Sequence, residues 1–545
     1  MPESAAAPNV PSTTPAIGDD ARLESLGYRP QLNRVLGFFE NFAVGFTYLS
    51  PMVGIYSLFI FGVALAGPAY IWLTFIPLIG MLFVALVFGE LASHYPVAGA
   101  LYQYSKFSVG PAYGWFVGWF YGIALLVTVA SVDTGVVPYI TALSHNWFHT
   151  NWDPTNHTTI LLITLVLLAI QTTLNITGAK VLGRVAQFGV GVEILGTLGI
   201  AIILAIHGFH HGLGFLFSTQ GAEHVQTNSL QLDFHGNWWA GAALVAILAH
   251  VYIFYGFESA GDVAEETKDA ARQVPRSMQR ALLVGGLTSF VLVAALLLAT
   301  PSDRAGYVKA TSFDGGVPFI LSSNISAGWL NDLLLLLVIF AFFSCGSSVQ
   351  GAGARLAFSF ARDGAIPGAR IVSKVSPRFH TPVNALLLGA LVPVLFTLLV
   401  NLTPSEDKSI GFITYPANVS ALGALVSFGV SGIYLSFLLT VIGALVARSR
   451  GWVPEGPFQL GRLAWPTTIG AAVYLGLMLI NVVAPTGLDS PRGALFNLDW
   501  VTLTVMAVIA LVGLVAFLVV RPAGKVGKHL HDDLEATGAE RSHPA

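Results

Sequence analysis

The chain has 545 residues, 54% of them hydrophobic and 10% charged, with a formal net charge of −3. Soluble domains carry about 25% charged residues, so the composition excludes an ordinary soluble enzyme and places the chain in a lipid bilayer. Lys and Arg are scattered over many short segments, which excludes nucleic acid as a partner, because that requires a concentrated basic face.

Residues 1–20 are rich in Ala, Pro, Ser and Thr and contain no apolar run. They are expected to be a disordered tail without a cleavable signal peptide. A crossing helix needs about 20 apolar residues, and twelve stretches qualify: Phe42–Ala66, Ala69–Phe88, Ala112–Leu143, Thr159–Thr177, Gln187–His207, Trp238–Gly261, Ala281–Thr300, Ala327–Gln350, Pro382–Leu402, Val419–Ala447, Pro466–Val483 and Val501–Val520. Only Gly67–Pro68 separates the first two, which predicts a tight turn there. The single Cys345 lies inside an apolar run, so no disulfide framework exists. With the N-terminus inside, only Arg304, Lys309, Lys408 and Arg492 fall in outer segments. This asymmetry predicts cytoplasmic termini.

Two spans are interrupted. The first contains Ser50–Ile55, read SPMVGI, where Pro51 removes a donor and Gly54 permits close approach of backbone. The sixth contains His250–Gly261, read HVYIFYGFESAG, with two glycines and an ionisable Glu258. Irregular backbone at membrane depth is tolerated where it lines a protein-enclosed cavity, and paired broken helices are how secondary transporters bind charged substrates. A plain proline kink is the alternative for the first break taken alone. The spacing of the breaks predicts an inverted-topology pair, residues 37–207 (helices 1–5) and 238–447 (helices 6–10). Residues 1–36 then form a cytoplasmic N-terminus, 208–237 an outer loop, 448–520 helices 11 and 12, and 521–545 a cytoplasmic tail.

No Lys or Arg lies deep in any span, so a substrate carboxylate can be held only by backbone N–H groups at a half-helix N-terminus. Glu193 and Glu258 are acids inside spans, where such residues usually face the interior and serve ion or proton pathways. Both are candidates for coupling, and helix-packing carboxyls are the alternative. Asp133 could face a substrate amine or the interface, and His250 reads as a satisfied interior histidine. The His207–His211 run, HGFHH, lacks the ligand spacing of a definite zinc site. His145, His149, His157, His224 and His235 add to the outer-loop histidines. No metal site and no cofactor is expected. Glu90, Glu265 and Glu266 face Arg34, Arg355 and Arg362 across the inner segments, as a gate or as a solvated cluster.

Three inner segments, Gly89–Tyr104 (GELASHYPVAGALYQY), Glu265–Met278 (EETKDAARQVPRSM) and Arg355–Pro367 (RLAFSFARDGAIP), resemble those of the amino acid–polyamine–organocation (APC) transporter superfamily. The first break, S-P-M-V-G-I rather than Gly-x-Gly, is most similar to the amino acid/choline permease branch. The resemblance runs from about Arg29 to Val520. It implies an all-α integral membrane protein of LeuT-type fold, a five-plus-five inverted repeat plus two helices, and alternating-access transport of an amino acid or related amine. It further implies that the substrate carboxylate meets the N–H groups of Val53, Gly54 and Ile55. The amine would meet carbonyls at Ser50, Tyr252, Ile253 and Tyr255, and Phe257 would cap the pocket. At Glu193 several proton-coupled relatives carry a Lys, so this chain departs from that pattern. The expected partners are a small amino acid or amine, the bilayer and a proton as coupling ion. An amino acid/amine exchanger and a sodium-coupled choline or polyamine permease are the alternatives, with Ser347 and Ser348 as sodium candidates. The motifs and the absence of disulfides suggest the plasma membrane of a bacterium. A membrane enzyme would need a clustered nucleophile and base or an H-E-x-x-H run, and neither occurs.

Overall fold

The computed structural model describes residues 18–220, 237–239, 241–311, 315–401, 408–410, 413–415, 421–483 and 501–521. His224, His235, Arg492 and residues 1–17 and 522–545 lie outside the described residues, whereas Asp19 and Asp20, expected in the disordered tail, open the first helix. The helices in chain order are α1 (Asp19–Ser25), α2 (Phe38–Leu49), α3 (Pro51–Ala66), α4 (Phe75–His94), α5 (Ala100–Ser108), α6 (Pro111–Gly135), α7 (Val137–Phe148), α8 (His157–Ile176), α9 (Ala179–His207), α10 (Ala242–Ala246), α11 (Leu248–Ile253), α12 (Ser259–Asp262), α13 (Ala270–Leu298), α14 (Arg304–Ala310), α15 (Gly316–Asn324), α16 (Gly328–Arg362), α17 (Ala369–Val372), α18 (Val383–Asn401), α19 (Ala421–Ser449), α20 (Ala464–Val483) and α21 (Val501–Val520). A two-stranded antiparallel ribbon, Lys408–Ile410 with Ile413–Tyr415, is the one sheet among the described residues.

Among the described residues, ten helical stretches are long and apolar enough to cross a bilayer, and two shorter apolar helices, Ala242–Ile253 and Val383–Leu398, stand where the sixth and ninth expected spans lie. The sixth is short because its helix stops at Ile253. The third expected span is divided between α6 and α7, which meet at Val136. Pro138 sits in the first turn of α7, where its missing N–H and fixed φ are tolerated and the preceding helix must end. The tight turn at Gly67 has φ +70°, a conformation that costs glycine nothing.

Leu195, Ile202 and Ile206 on α9 and Leu511, Leu518 and Val519 on α21 are largely exposed. An apolar outer face of this kind suits hydrocarbon and not water. The interior is built around the broken pairs α2/α3 and α10–α12, enclosed by α6, α16 and α19.

Candidate functional site

At the first break the helix stops for one residue. Ser50 takes a left-handed conformation (φ 38°, ψ 86°) between α2 and α3. Pro51 is the cause, because it disfavours the α region for the residue before it and brings no N–H. Ser50 then caps α3: its Oγ accepts from Val53 N–H at 3.3 Å and its carbonyl from Gly54 N–H at 3.1 Å. A non-glycine residue at positive φ is strained, and such strain concentrates at functional sites.

The second break is longer. Backbone from Phe254 to Glu258 leaves the α-helix, and Gly256 sits at φ +110°. The two breaks touch. A Cβ on Gly256 would lie 2.6 Å from the Leu49 backbone nitrogen, and one on Gly54 would overlap the Ile253 side chain. Each glycine therefore lets one interrupted helix sit directly on the other.

Between them is a small cavity of about 10 Å³, lined by Tyr48, Leu49, Val53, Gly54, Thr128, Val132, Tyr252, Tyr255 and Cys345. That is room for roughly one water molecule. Of the expected residues, Val53, Gly54, Tyr252 and Tyr255 line it. Ser50 stands behind as the cap, Ile253 packs on Gly54, and Ile55 lines the neighbouring crevice beside Tyr70 and His250. Phe257 is fully buried between Phe88 and Phe437, at ring distances of 6.2 and 5.8 Å, and does not line the cavity. Tyr48, Leu49, Thr128, Val132 and Cys345 were not anticipated. Asp133 points away from the cavity and accepts from Gln171 at 2.7 Å. His250 is satisfied by Thr74 at 3.2 Å and by the Tyr70 carbonyl at 3.1 Å.

Glu193 on α9 is buried and faces the Ser50 side chain and the Met52 N–H at the start of α3. Neither of its oxygens has a hydrogen-bond partner among the described residues. Glu258 is also buried; its Oε2 accepts from Gly256 N–H at 2.7 Å, which staples the second break. One acid thus stands at each break. Thr47 Oγ1 and Ser348 Oγ are 2.8 Å apart and bond to each other.

One end of the molecule is closed by buried ion pairs: Arg355 with Glu266 at 3.1 Å, Arg362 with Glu265 at 2.8 Å, Lys106 with Asp363 at 2.6 Å, and Arg448 with Glu90. Arg34 departs from expectation. It pairs with Asp20 at 2.8 Å and donates to the Ala264 and Thr267 carbonyls, because Glu265 and Glu266 are already taken by α16. Tyr28 donates to Asp363 at 3.0 Å and lies under the Arg362 guanidinium. Burial lowers the Lys106 ammonium below the ordinary lysine range, against the pull of Asp363. His207, His210 and His211 take separate partners: the Ile203 carbonyl, Asn324 and the Phe215 ring.

The chain is 26% identical to the amino-acid permease BAT1 of Arabidopsis thaliana, covering 85% of this chain and 87% of that one. It is 24% identical to an amino-acid permease of Schizosaccharomyces pombe, covering 90% and 84%. It is 25% identical to a putative polyamine transporter of Candida albicans, covering 86% and 81%. The amino acid permease family model matches residues 36–512, from before the first broken helix into the last span, and the chain therefore belongs to the amino acid permease family of the APC superfamily.

Proposed function

We propose that this permease is a proton-coupled symporter that moves an amino acid or related amine by alternating access through the cavity between the two breaks. The observation that carries the reading is Glu193, a buried carboxyl facing the N-terminus of the half-helix α3. That half-helix end favours an anion. A substrate carboxylate on the Val53 and Gly54 amides displaces the Ser50 cap, and it then shares the site with Glu193. Two like charges in one buried site disfavour ionisation of both. Binding the substrate therefore takes up a proton on Glu193, and releasing the substrate releases it. The amine end lies toward the carbonyls of Tyr252, Ile253 and Tyr255, with the Tyr48, Tyr252 and Tyr255 rings as walls.

Of the two sodium-candidate hydroxyls, Ser348 bonds to Thr47, and Ser347 Oγ is buried without a hydrogen-bond partner among the described residues. Residues 37–207 and 238–447 serve as inverted repeats, and the ion-paired end, rich in Arg, faces the cytoplasm together with both termini.

The test is uptake into proteoliposomes of labelled amino acids, 4-aminobutyrate, putrescine and choline, under a proton gradient and then a sodium gradient. One charge crossing 100 mV supplies about 2.3 kcal/mol, or roughly forty-fold accumulation. Wild type is expected to accumulate substrate with protons alone. Glu193→Gln is expected to lose accumulation and keep counterflow exchange. Accumulation unchanged in Glu193→Gln would remove Glu193 from coupling, and exchange indifferent to any gradient would make the protein an antiporter.

Cys345 gives a second test that needs no gradient. It is buried and lines the cavity, so thiol labelling requires the cavity to open. A transported substrate is expected to slow labelling by a small maleimide at saturating concentration. Compounds that are not transported are expected to leave the rate alone, and equal labelling with both kinds would place the substrate elsewhere.

A further inference from the structure

The second break leads into a buried polar cluster that the cavity does not include. Glu258 and Asp262 lie one turn apart and both are fully buried. The Tyr121 hydroxyl, from α6, is 3.3 Å from Glu258 Oε1 and 2.9 Å from Asp262 Oδ2. A tyrosine hydroxyl has one proton to donate, and ionised carboxylates only accept. One proton shared between two anions serves the longer contact poorly, and that contact is made favourable when one of the two carboxyls is protonated and donates to the Tyr121 oxygen.

The surroundings support the same count. The titratable groups facing the pair are Tyr48 from α2, Tyr104 from α5, Tyr121 from α6 and Tyr434 from α19, with Tyr255 from the break itself. The cation that faces it is Arg355 from α16, whose guanidinium is already bonded through two nitrogens to Glu266. Neutral tyrosines cannot compensate two adjacent anions, and two carboxyls sharing such a site do not both ionise. The cluster also has open positions. Asp262 Oδ1 and the Tyr104 hydroxyl are buried without a hydrogen-bond partner among the described residues. The Tyr104 hydroxyl reaches the chain beside Asp262, since a Cβ on Gly261 would lie 2.6 Å from it.

We propose that Glu258 and Asp262 share one carboxyl proton across the Tyr121 hydroxyl, and that Asp262 is its second station on the way to the ion-paired end. This rests on the proton-coupled reading above. In the transfer, the Glu258 O–H bond breaks as the Tyr121 oxygen takes that proton. The original Tyr121 O–H bond breaks as its proton passes to Asp262 Oδ2. Glu258 is left ionised, Asp262 neutral and Tyr121 unchanged. Asp262 lies on the side of Glu258 nearer Glu265 and Glu266, so the proton advances toward the inner gate.

The experiment is infrared difference spectroscopy of the reconstituted full chain at neutral pH, in the region of protonated carboxyl groups. Asp262→Asn, Glu258→Gln, the double variant and Tyr121→Phe are each compared with wild type. One shared proton predicts that each single acid variant loses one band and that the double variant loses no more than either. Tyr121→Phe keeps the ring and removes the hydroxyl, so it is expected to shift the band even if Asp262→Asn folds poorly. Proton-driven uptake and counterflow are measured on the same liposomes, with 4-aminobutyrate, alanine and putrescine as probes. Loss of proton drive with counterflow retained in Asp262→Asn supports the relay. A carboxyl band unchanged in Asp262→Asn, or losses that add in the double variant, overturns it. If uptake ignores the proton gradient in wild type while the bands behave as expected, the shared proton stands and the symport reading fails.

Discussion

Gly256→Ala is expected to abolish transport and to lower the thermal stability of the protein markedly. Two costs combine at this position. The backbone sits at φ +110°, where a side chain costs on the order of 1–3 kcal/mol. The added Cβ would also lie 2.6 Å from the Leu49 nitrogen and 2.8 Å from the Tyr48 carbonyl carbon. Both are backbone atoms in the last turn of α2, so no rotamer change relieves the contact. Overpacking of this kind costs roughly another 1–3 kcal/mol. The cheapest relief is to part the two breaks, which separates Tyr48 and Leu49 from Tyr252 and Tyr255 and opens the cavity wall. Gly199→Ala is the control, because a Cβ there meets nothing within 4 Å and the position is inside α9. It is expected to be neutral or slightly stabilising. Thermal unfolding followed by tryptophan fluorescence, together with counterflow exchange, separates the two. A Gly256→Ala variant as stable and active as Gly199→Ala would show that the breaks do not abut.

The interruptions were legible in the sequence because Pro51 and Gly256 change what the backbone can do, whatever surrounds them. The apolar runs were legible because each must be long enough to cross hydrocarbon. The lining of the cavity was not, with Thr128, Val132 and Cys345 as examples. Helices that are apolar all round carry no pattern to say which face turns inward, and only the packing of α6 and α16 against the breaks decides it. Asp133 illustrates the same limit: in sequence it reads equally as a substrate ligand or an interfacial acid, and the structure pairs it with Gln171 of α8. Asp262 had a signal that could have been used, its one-turn spacing from Glu258. The identity of Arg34's partner had none, since Asp20 reaches it only once α1 has folded back toward Arg34.

Arg355→Met is expected to be the most damaging single change at the ion-paired end, and Glu266→Leu is expected to rescue it. Arg355 is fully buried and Glu266 nearly so. The guanidinium donates from Nε to Oε1 at 3.2 Å and from Nη2 to Oε2 at 3.1 Å, and from Nη1 to the Gly351 carbonyl at 3.1 Å. Removing the arginine alone leaves a buried carboxylate without its cation, which costs about 3–5 kcal/mol. Replacing both partners by apolar side chains of similar volume is often neutral, so the double variant should unfold above either single one. Arg355→Lys keeps the charge but not the two-pronged geometry, and it should fall between Met and wild type. The pair also links α16 to the segment after the second break, so it is expected to contribute to closure of that end. In the rescued double variant the end is held by packing alone and opens more readily, so Cys345 should be labelled faster than in wild type by a maleimide applied from that side. Stability restored with Cys345 labelling unchanged would make the pair a folding contact and leave the gate to Arg362, Lys106 and Arg448. A double variant less stable than Arg355→Met would contradict the desolvation balance itself.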